Sequence, residues 1–391
     1  MVNDLYNNTT ACCHRKKVVK KSYYPGIFAL AGIVFSSFYI FRSGLPQPSD
    51  FLFLLFSVLL VIKNKLYLDV KIKDNWFILL SFFYFLVVIN GLSWSIIEEN
   101  FQYNSFSLFL TFDILLFFSL REYLIGHACA RGQICTSYFI ALFVLTIITI
   151  LGIGKSDFGS RYNAFFNDPN QMAHWVICVY AAISLLYRGK LIVRMIIFVV
   201  ALYVVVKTES RSGIVGMGLV FLGVIMPFLK SRKAGNFNYV KIFSGAAFVV
   251  IMGYAVGSYF MQLDVTDRLI DRFASADFSQ QAEIRGYGRI ADYPQYLVLG
   301  AGKADDERFG STYEIHSTPA AILFYYGIFG FVLFFGFLYF LVKKLSLHQA
   351  MIALGPLAYS FSTFNARTPI FWLTLAVCSY VLYEDNKKID S

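Results

Sequence analysis

The sequence predicts an all-α, polytopic integral membrane protein of about twelve transmembrane helices, and three observations predict it. Hydrophobic residues make up 58% of the 391 and charged residues only 15%. Phe alone occurs 42 times, and the mean hydropathy is +0.60. A soluble domain of this length needs more polar surface, and so many large apolar side chains suit helices whose outer faces meet lipid. The third observation is the recurrence of apolar runs near the length that crosses a hydrocarbon core, roughly 20 residues.

Those runs lie near 25–41, 49–62, 75–96, 105–120, 136–153, 170–187, 191–206, 213–229, 240–261, 318–342, 349–364 and 368–384. The second is short and the fourth carries Asp113. The opening 22 residues are polar and basic, with Arg15, Lys16, Lys17, Lys20 and Lys21, and no small-residue cleavage site follows the first run. No cleavable signal peptide is therefore expected. Residues 1–391 read as a single transmembrane domain without internal repeats or low-complexity tracts, and residues 262–317 form one long loop within it.

The formal net charge is +10. It argues for no nucleic-acid partner, because the basic residues fall in short segments between apolar runs and form no patch on a soluble domain. Their asymmetry sets the orientation. Of the 34 Lys and Arg, 22 fall in the tails and segments sharing the side of the N-terminus and 12 fall opposite. Both termini are thus expected in the cytoplasm and the 262–317 loop outside. Cysteine usage agrees. Cys12, Cys13, Cys129 and Cys135 fall on the cytoplasmic side, Cys178 and Cys378 inside spans, and none in the outer, oxidising segments. Cys12 and Cys13 lack a second pair at metal-ligand spacing.

The outer segments hold a distinctive polar set. Between the fifth and sixth runs stands Gly159-Ser160-Arg161-Tyr162-Asn163-Ala164-Phe165-Phe166-Asn167-Asp168-Pro169-Asn170-Gln171. Glu209-Ser210-Arg211-Ser212-Gly213 precedes the eighth run. The long loop carries Arg268, Arg272, Arg285, Arg289 and Gly300-Ala301-Gly302, then His316 at the mouth of the tenth run; Arg367 opens the twelfth. Guanidinium groups hold phosphate through paired, charge-assisted hydrogen bonds. At the edge of a low-dielectric membrane, two or three of them suit a lipid-linked diphosphate and the charge that grows on it as it leaves. A histidine at that level suits proton abstraction from an attacking hydroxyl. No carboxylate-rich metal motif stands nearby, and Asp305, Asp306 and Glu307 read as a solvated acidic run. Metal-independent transfer of a glycan from a polyprenyl diphosphate, with no cofactor, is the chemistry these residue types favour.

Taken in order, these residues resemble the O-antigen ligase and O-antigen polymerase superfamily. The parts that carry the resemblance are Arg211-Ser212-Gly213, Arg285, Pro294, Gly300-Ala301-Gly302, His316 and Gly327-Ile328-Phe329-Gly330. Phe166-Asn167-Asp168-Pro169-Asn170-Gln171-Met172-Ala173 is similar to the family's Asn-Pro-Asn segment. The resemblance spans roughly residues 150–335 and leaves the first five spans unread beyond their hydrophobicity. It implies a GT-C-like fold in a bacterial inner membrane, a periplasmic active site, and undecaprenyl-diphosphate-linked glycans as donors. It also implies that Arg211 and Arg285 contact the diphosphate and that His316 activates or orients the acceptor hydroxyl. Where the family often has an aromatic residue four positions after the loop arginine, this chain has Arg289, so Arg289 shares the claim to the phosphate. Arg161, Asn167, Asn170 and Arg367 complete the substrate-binding set.

The same residues have plainer readings. An arginine at a helix end often anchors at the headgroups, and Arg268 and Arg272 read as a solvated face. Asn163, Asn167 and Asn170 read as cap and scaffold as well as sugar contacts. Asp113 inside a span is costly unless paired or facing a cavity, and no partner for it is evident in the sequence. Three functions stay open. A polymerase joins repeat units, a wording that Asn167 to Gln171 and Asn365-Ala366-Arg367-Thr368-Pro369 favour. A ligase moves the finished glycan to lipid A–core. A lipid-linked glycan flippase would instead place ionisable groups near the midplane in two related halves. A polysaccharide chain-length regulator is a candidate partner of the polymerase.

Overall fold

The computed structural model describes residues 24–42, 44–64, 74–230, 285–304, 306–310 and 314–389. Among them every regular element is a helix, and the only extended pairings are the isolated bridges Lys155 to Ala164 and Phe158 to Arg161. The principal helices are α1 (Tyr24–Phe35), α2 (Pro48–Asn64), α3 (Asn75–Ile97), α4 (Ser105–Gly126), α5 (Ala130–Ile150), α6 (Pro169–Leu186), α7 (Leu191–Lys207) and α8 (Arg211–Lys230). After the undescribed stretch come two short helices, α9 (Gly288–Asp292) and α10 (Tyr296–Leu299), then α11 (Thr318–Val342), α12 (Leu347–Tyr359) and α13 (Pro369–Ile389). Four of them, over Asn75–Ile97, Ala130–Ile150, Arg211–Phe228 and Thr318–Val342, are long and apolar enough to cross a membrane; Pro25–Phe35 and Pro48–Ile62 are shorter apolar helices. Every predicted span coincides with a helix except 240–261, which lies outside the described residues.

Two helices stop short of their predicted ends. α1 ends at Phe35, where the Ser36 hydroxyl donates to the Ile33 carbonyl at 2.7 Å. The chain then turns around the buried Gln47 side chain, which accepts from the Ile40 and Phe41 amides at 2.9 and 3.0 Å and donates to the Phe41 and Leu45 carbonyls. α12 carries Pro356 and ends at Tyr359. Its continuation folds over the start of α11, where the Ser360 and Thr363 carbonyls accept from the Thr318 amide at 2.8 and 3.1 Å. In each case a tertiary hydrogen bond replaces the next turn of helix.

α6 sits at the centre. Every residue from Met172 to Leu186 is buried, as expected of a helix apolar on all sides, and α5, α7, α8, α12 and α13 pack around it. Side chains such as Phe82, Phe85, Ile96, Phe143, Phe329 and Val332 point outward and stay exposed. α8 and α12 approach each other through glycines, the small-residue contact that suits helices in lipid. A Cβ on Gly223 would lie 2.6 Å from the His348 carbonyl oxygen, and one on Gly355 would lie 2.4 Å from a Val220 methyl. Gly223→Leu is therefore expected to cost about 1–3 kcal/mol by overpacking. It should lower the midpoint of thermal unfolding in detergent, and an unchanged midpoint would refute the packing.

Candidate functional site

The described ion pairs and helix ends fall into two polar layers. In one, Arg131 and Arg188 pair with Glu384 at 2.7 Å each, and Lys344 pairs with Asp74 at 3.4 Å. The other layer gathers the starts of α2, α4, α6, α8, α11 and α13 with the ends of α1, α3, α5, α7 and α12. It contains every described residue in the candidate set.

The sequence explains how these helix starts are built. Pro169, Pro319 and Pro369 occupy first turns, where a missing amide costs nothing. The Asp168 carboxylate accepts from the Asn170 amide and caps α6. The Ser317 hydroxyl accepts from the Ala320 amide at 3.4 Å and caps α11, and the Ser210 hydroxyl accepts from the Gly213 amide at 3.3 Å. Helix starts carry partial positive charge, so this layer is electropositive before any side chain is counted.

Arg161 lies across the end of α7. Its Nε donates to the Thr208 carbonyl at 3.0 Å and its Nη2 to Asn170 Oδ1 at 2.9 Å, while the Tyr162 amide donates to the Lys207 carbonyl at 3.1 Å. Burial pulls the Arg161 guanidinium below its ordinary pKa, opposed by the charges of Asp168 and Glu209, and the neighbouring Arg211 adds to the fall. Tyr359 ties the two helix starts together: its hydroxyl donates to the Asn170 carbonyl at 2.8 Å and lies 3.2 Å from the Ser210 hydroxyl. Ser362 donates to Ser212 at 2.8 Å. Arg211 thus projects from a start held by Ser210, Ser212 and Tyr359. Asn167 is a peripheral contact whose Nδ2 donates to the Phe41 carbonyl at 3.2 Å.

His316 lies at the mouth of α11, two residues before Thr318. Its amide donates to the Arg285 carbonyl at 3.2 Å, which brings the loop arginine and the histidine together. Burial holds the His316 imidazole below its ordinary pKa, opposed by Glu314 and Asp168 and assisted by Arg367 and Arg285. Glu314 makes a 2.6 Å salt bridge to Arg367 and a 3.5 Å one to Lys303. Burial alone would raise the Glu314 carboxyl; Arg367, then Lys303 and His316, outweigh it and leave the group below the usual carboxylate value. Of the two loop arginines, Arg289 is buried, with its guanidinium folded against Gly286, whereas Arg285 is half-buried.

The loop that carries Lys303 is locked into a break in α11. Gly327 adopts φ 68° and ψ −175° inside that helix. The Phe324 and Tyr325 carbonyls accept instead from the Ala301 and Gly302 amides at 2.9 and 3.0 Å. Gly300 has φ 89°, and a Cβ there would lie 2.3 Å from the Tyr325 carbonyl oxygen; at Gly327 it would lie 2.1 Å from that of Val298. Only glycine fits either position. Arg308 braces the loop, donating to the Ala301 carbonyl at 2.9 Å beneath the rings of Trp94, Tyr103 and Phe309.

A cavity of about 200 Å³ opens beside Glu314. Tyr39, Phe53, Phe106, Phe109, Trp175 and Phe364 form much of its wall, and Gln47, Asp50, Gln171, Lys303, Glu314 and Arg367 supply polar atoms. Of the sequence candidates, Arg367 lines this cavity, whereas Arg211, Arg285 and His316 are not in its wall. Glu314, Lys303, Gln171 and Asp50 were missed. Glu314 could have been found, since it is a carboxylate only two residues before the candidate His316. The turn after α1 contributes Ser36 and Tyr39, and α2 contributes Ser49, Asp50 and Phe53, so the first part of the chain is more than hydrophobic ballast. Arg268 and Arg272 lie outside the described residues.

The fold and site thus define an all-helical protein, with several helices apolar enough to cross a membrane, that concentrates cations and a histidine at one end. No family model matches the chain and no curated protein matches it.

Glu314→Gln leaves Arg367 and Lys303 without their shared carboxylate. It is expected to destabilise the protein by about 1–3 kcal/mol, read as a fall in the thermal midpoint. Glu314→Asp should recover part of the loss.

Proposed function

We propose that this chain is a glycosyltransferase of the O-antigen polymerase kind, acting on the periplasmic face of a bacterial inner membrane through a GT-C-like fold. It transfers a glycan from an undecaprenyl-diphosphate donor to a sugar hydroxyl of a lipid-linked repeat unit. One observation carries the reading: Arg161, Arg211, Arg285, Arg367 and His316 share one polar layer with Asp168 and with three helix starts capped by Asp168, Ser210 and Ser317.

In the proposed step, the His316 imidazole accepts the proton of the acceptor hydroxyl. The oxygen attacks the anomeric carbon of the donor sugar and forms the new glycosidic bond. The bond from that carbon to the diphosphate oxygen breaks, and its electron pair leaves with polyprenyl diphosphate. Arg211 and Arg285 stabilise the charge that grows there, Arg161 supports Arg211, and the proton passes from His316 to solvent. Arg285 serves this role better than Arg289, because a half-buried guanidinium can reach ligand and a buried one cannot. The aromatic cavity beside Arg367 suits the face of a sugar ring. The arginines take the place a divalent ion holds in other diphosphate chemistry, so activity should persist in EDTA.

Chain extension by purified protein on lipid-diphosphate-linked repeat units is the direct test. Arg211→Ala, Arg285→Ala and His316→Ala should each lower it at least 100-fold with the fold intact, the scale of losing one transition-state contact; undiminished extension in all three variants would end the proposal. The pH dependence follows from the direction of the His316 shift. The imidazole is protonated, and inactive as a base, only below its lowered pKa. The acid limb of kcat/KM should therefore have its midpoint below about 6.5, the ordinary histidine value, and His316→Ala should remove that limb.

A ligase acting on lipid A–core uses the same donor chemistry, and a deletion strain separates the two. Core capped by a single repeat indicates a polymerase; accumulated lipid-linked polymer with bare core indicates a ligase. A flippase draws support from Asp113, a buried carboxylate within α4 whose two oxygens lack hydrogen-bond partners among the described residues. Translocation of lipid-linked glycan in liposomes, abolished by Asp113→Asn, would favour that reading.

A further inference from the structure

A second cavity, of about 360 Å³, lies in the opposite polar layer, between the ends of α6, α8 and α13 and the starts of α5, α7 and α12. Three guanidinium groups face it: Arg131, Arg188 and Arg194. Two share one acid, since Glu384 Oε2 accepts from both Arg131 and Arg188 at 2.7 Å. The other oxygen of Glu384 accepts from the Tyr380 hydroxyl at 2.7 Å. Arg131 is otherwise spent on the Leu186 and Leu185 carbonyls. Arg194 donates from Nη2 to the Tyr187 carbonyl and lies over the Tyr187 ring. Among the described residues it has no carboxylate partner, and its buried Nε has no acceptor. Arg188 has a 59% exposed side chain and further donors to spare. The second acid, Asp385, accepts from Gln349 Nε2 at 2.7 Å.

Ser184, Ser346, His348 and Gln349 add further polar atoms, and Leu185, Pro227, Phe228, Ile352 and Val381 form an apolar part of the wall. Exposed apolar side chains border the same end of the helices: Ile192 on α7, Phe228 on α8 and Leu347 on α12. A soluble anion has no use for such a rim. A phosphate attached to acyl chains does, and basic pockets between spans are where such headgroups settle.

We infer that this cavity holds the phosphate of an anionic phospholipid, with Arg188 and Arg194 as its ligands and the acyl chains along the Phe228 and Leu347 faces. The site shares no residue with the proposed glycan-transfer centre and stands whether or not that reading holds.

The test uses the purified full chain in detergent, titrated with dioleoylphosphatidylglycerol, dioleoylphosphatidylcholine or inorganic phosphate. Bound lipid is counted by native mass spectrometry and stabilisation is read from thermal unfolding. Phosphatidylglycerol should bind and raise the midpoint, while the other two should not. The double variant Arg188→Gln/Arg194→Gln should weaken phosphatidylglycerol binding about 25-fold, about fivefold for each arginine near an anionic headgroup. Arg42→Gln, in the opposite layer, should leave binding unchanged. If the double variant elutes as aggregate, Arg188→Gln alone carries the test, because that side chain is exposed, with an expected fivefold loss. Equal binding of phosphatidylcholine, stabilisation by phosphate alone, or undiminished binding by the folded variant would each overturn the inference.

Discussion

The cost of placing charge or an unpaired peptide group in a medium of low dielectric organises this molecule. Among the described residues the backbone closes its hydrogen bonds within helices, and the ion pairs stand in two layers at the helix ends. Asp113 is the exception that measures the rule. It is buried with no partner for its carboxylate among the described residues, whereas the other buried charge of the same helix, Arg121, pairs with Glu122. A group held at such expense is more readily explained by function than by packing.

Sorting charge to the helix ends also makes chemistry possible. Helices that alternate in direction bring starts and ends together in each layer, and the layer with the candidate site receives the starts of α2, α4, α6, α8, α11 and α13. Their partial positive charge adds to that of Arg161, Arg211, Arg285 and Arg367. The arginines do not simply repel one another, because Asp168 and Glu314 stand among them. Those two carboxylates hold a cluster that keeps a net positive field for an anion. Asn170 and Tyr359 do the mechanical work, joining α6 to the starts and ends of its neighbours. The locked break at Gly327 does the same for the loop that delivers Lys303 and Arg308.

Much of the fold was legible because the controlling signal is local. An apolar run long enough to cross a bilayer must be a helix there, and each such run within the described residues is one. The ends were less legible. α1 and α12 stop early because Gln47 and the Thr318 amide capture the chain beyond them, and both captures join residues that only the fold brings near. The layer of candidate residues was also legible as a set, since charge excluded from an apolar medium has to collect at the helix ends. Which members meet was not. Nothing in the chain order distinguishes a half-buried Arg285 beside His316 from a buried Arg289 four residues on.

What the sequence by itself determined is the helical class, the approximate positions of the helices and the residue types available at each end, because hydrophobicity and length act through near neighbours along the chain. Only the tertiary structure decided that Glu314 bridges Arg367 and Lys303 and that Asn170 serves Arg161. The same holds for α2 and the turn before it, which help to wall a cavity whose cations come from the last third of the chain. Those contacts join segments far apart in sequence, and their energies depend on distances that no local pattern records.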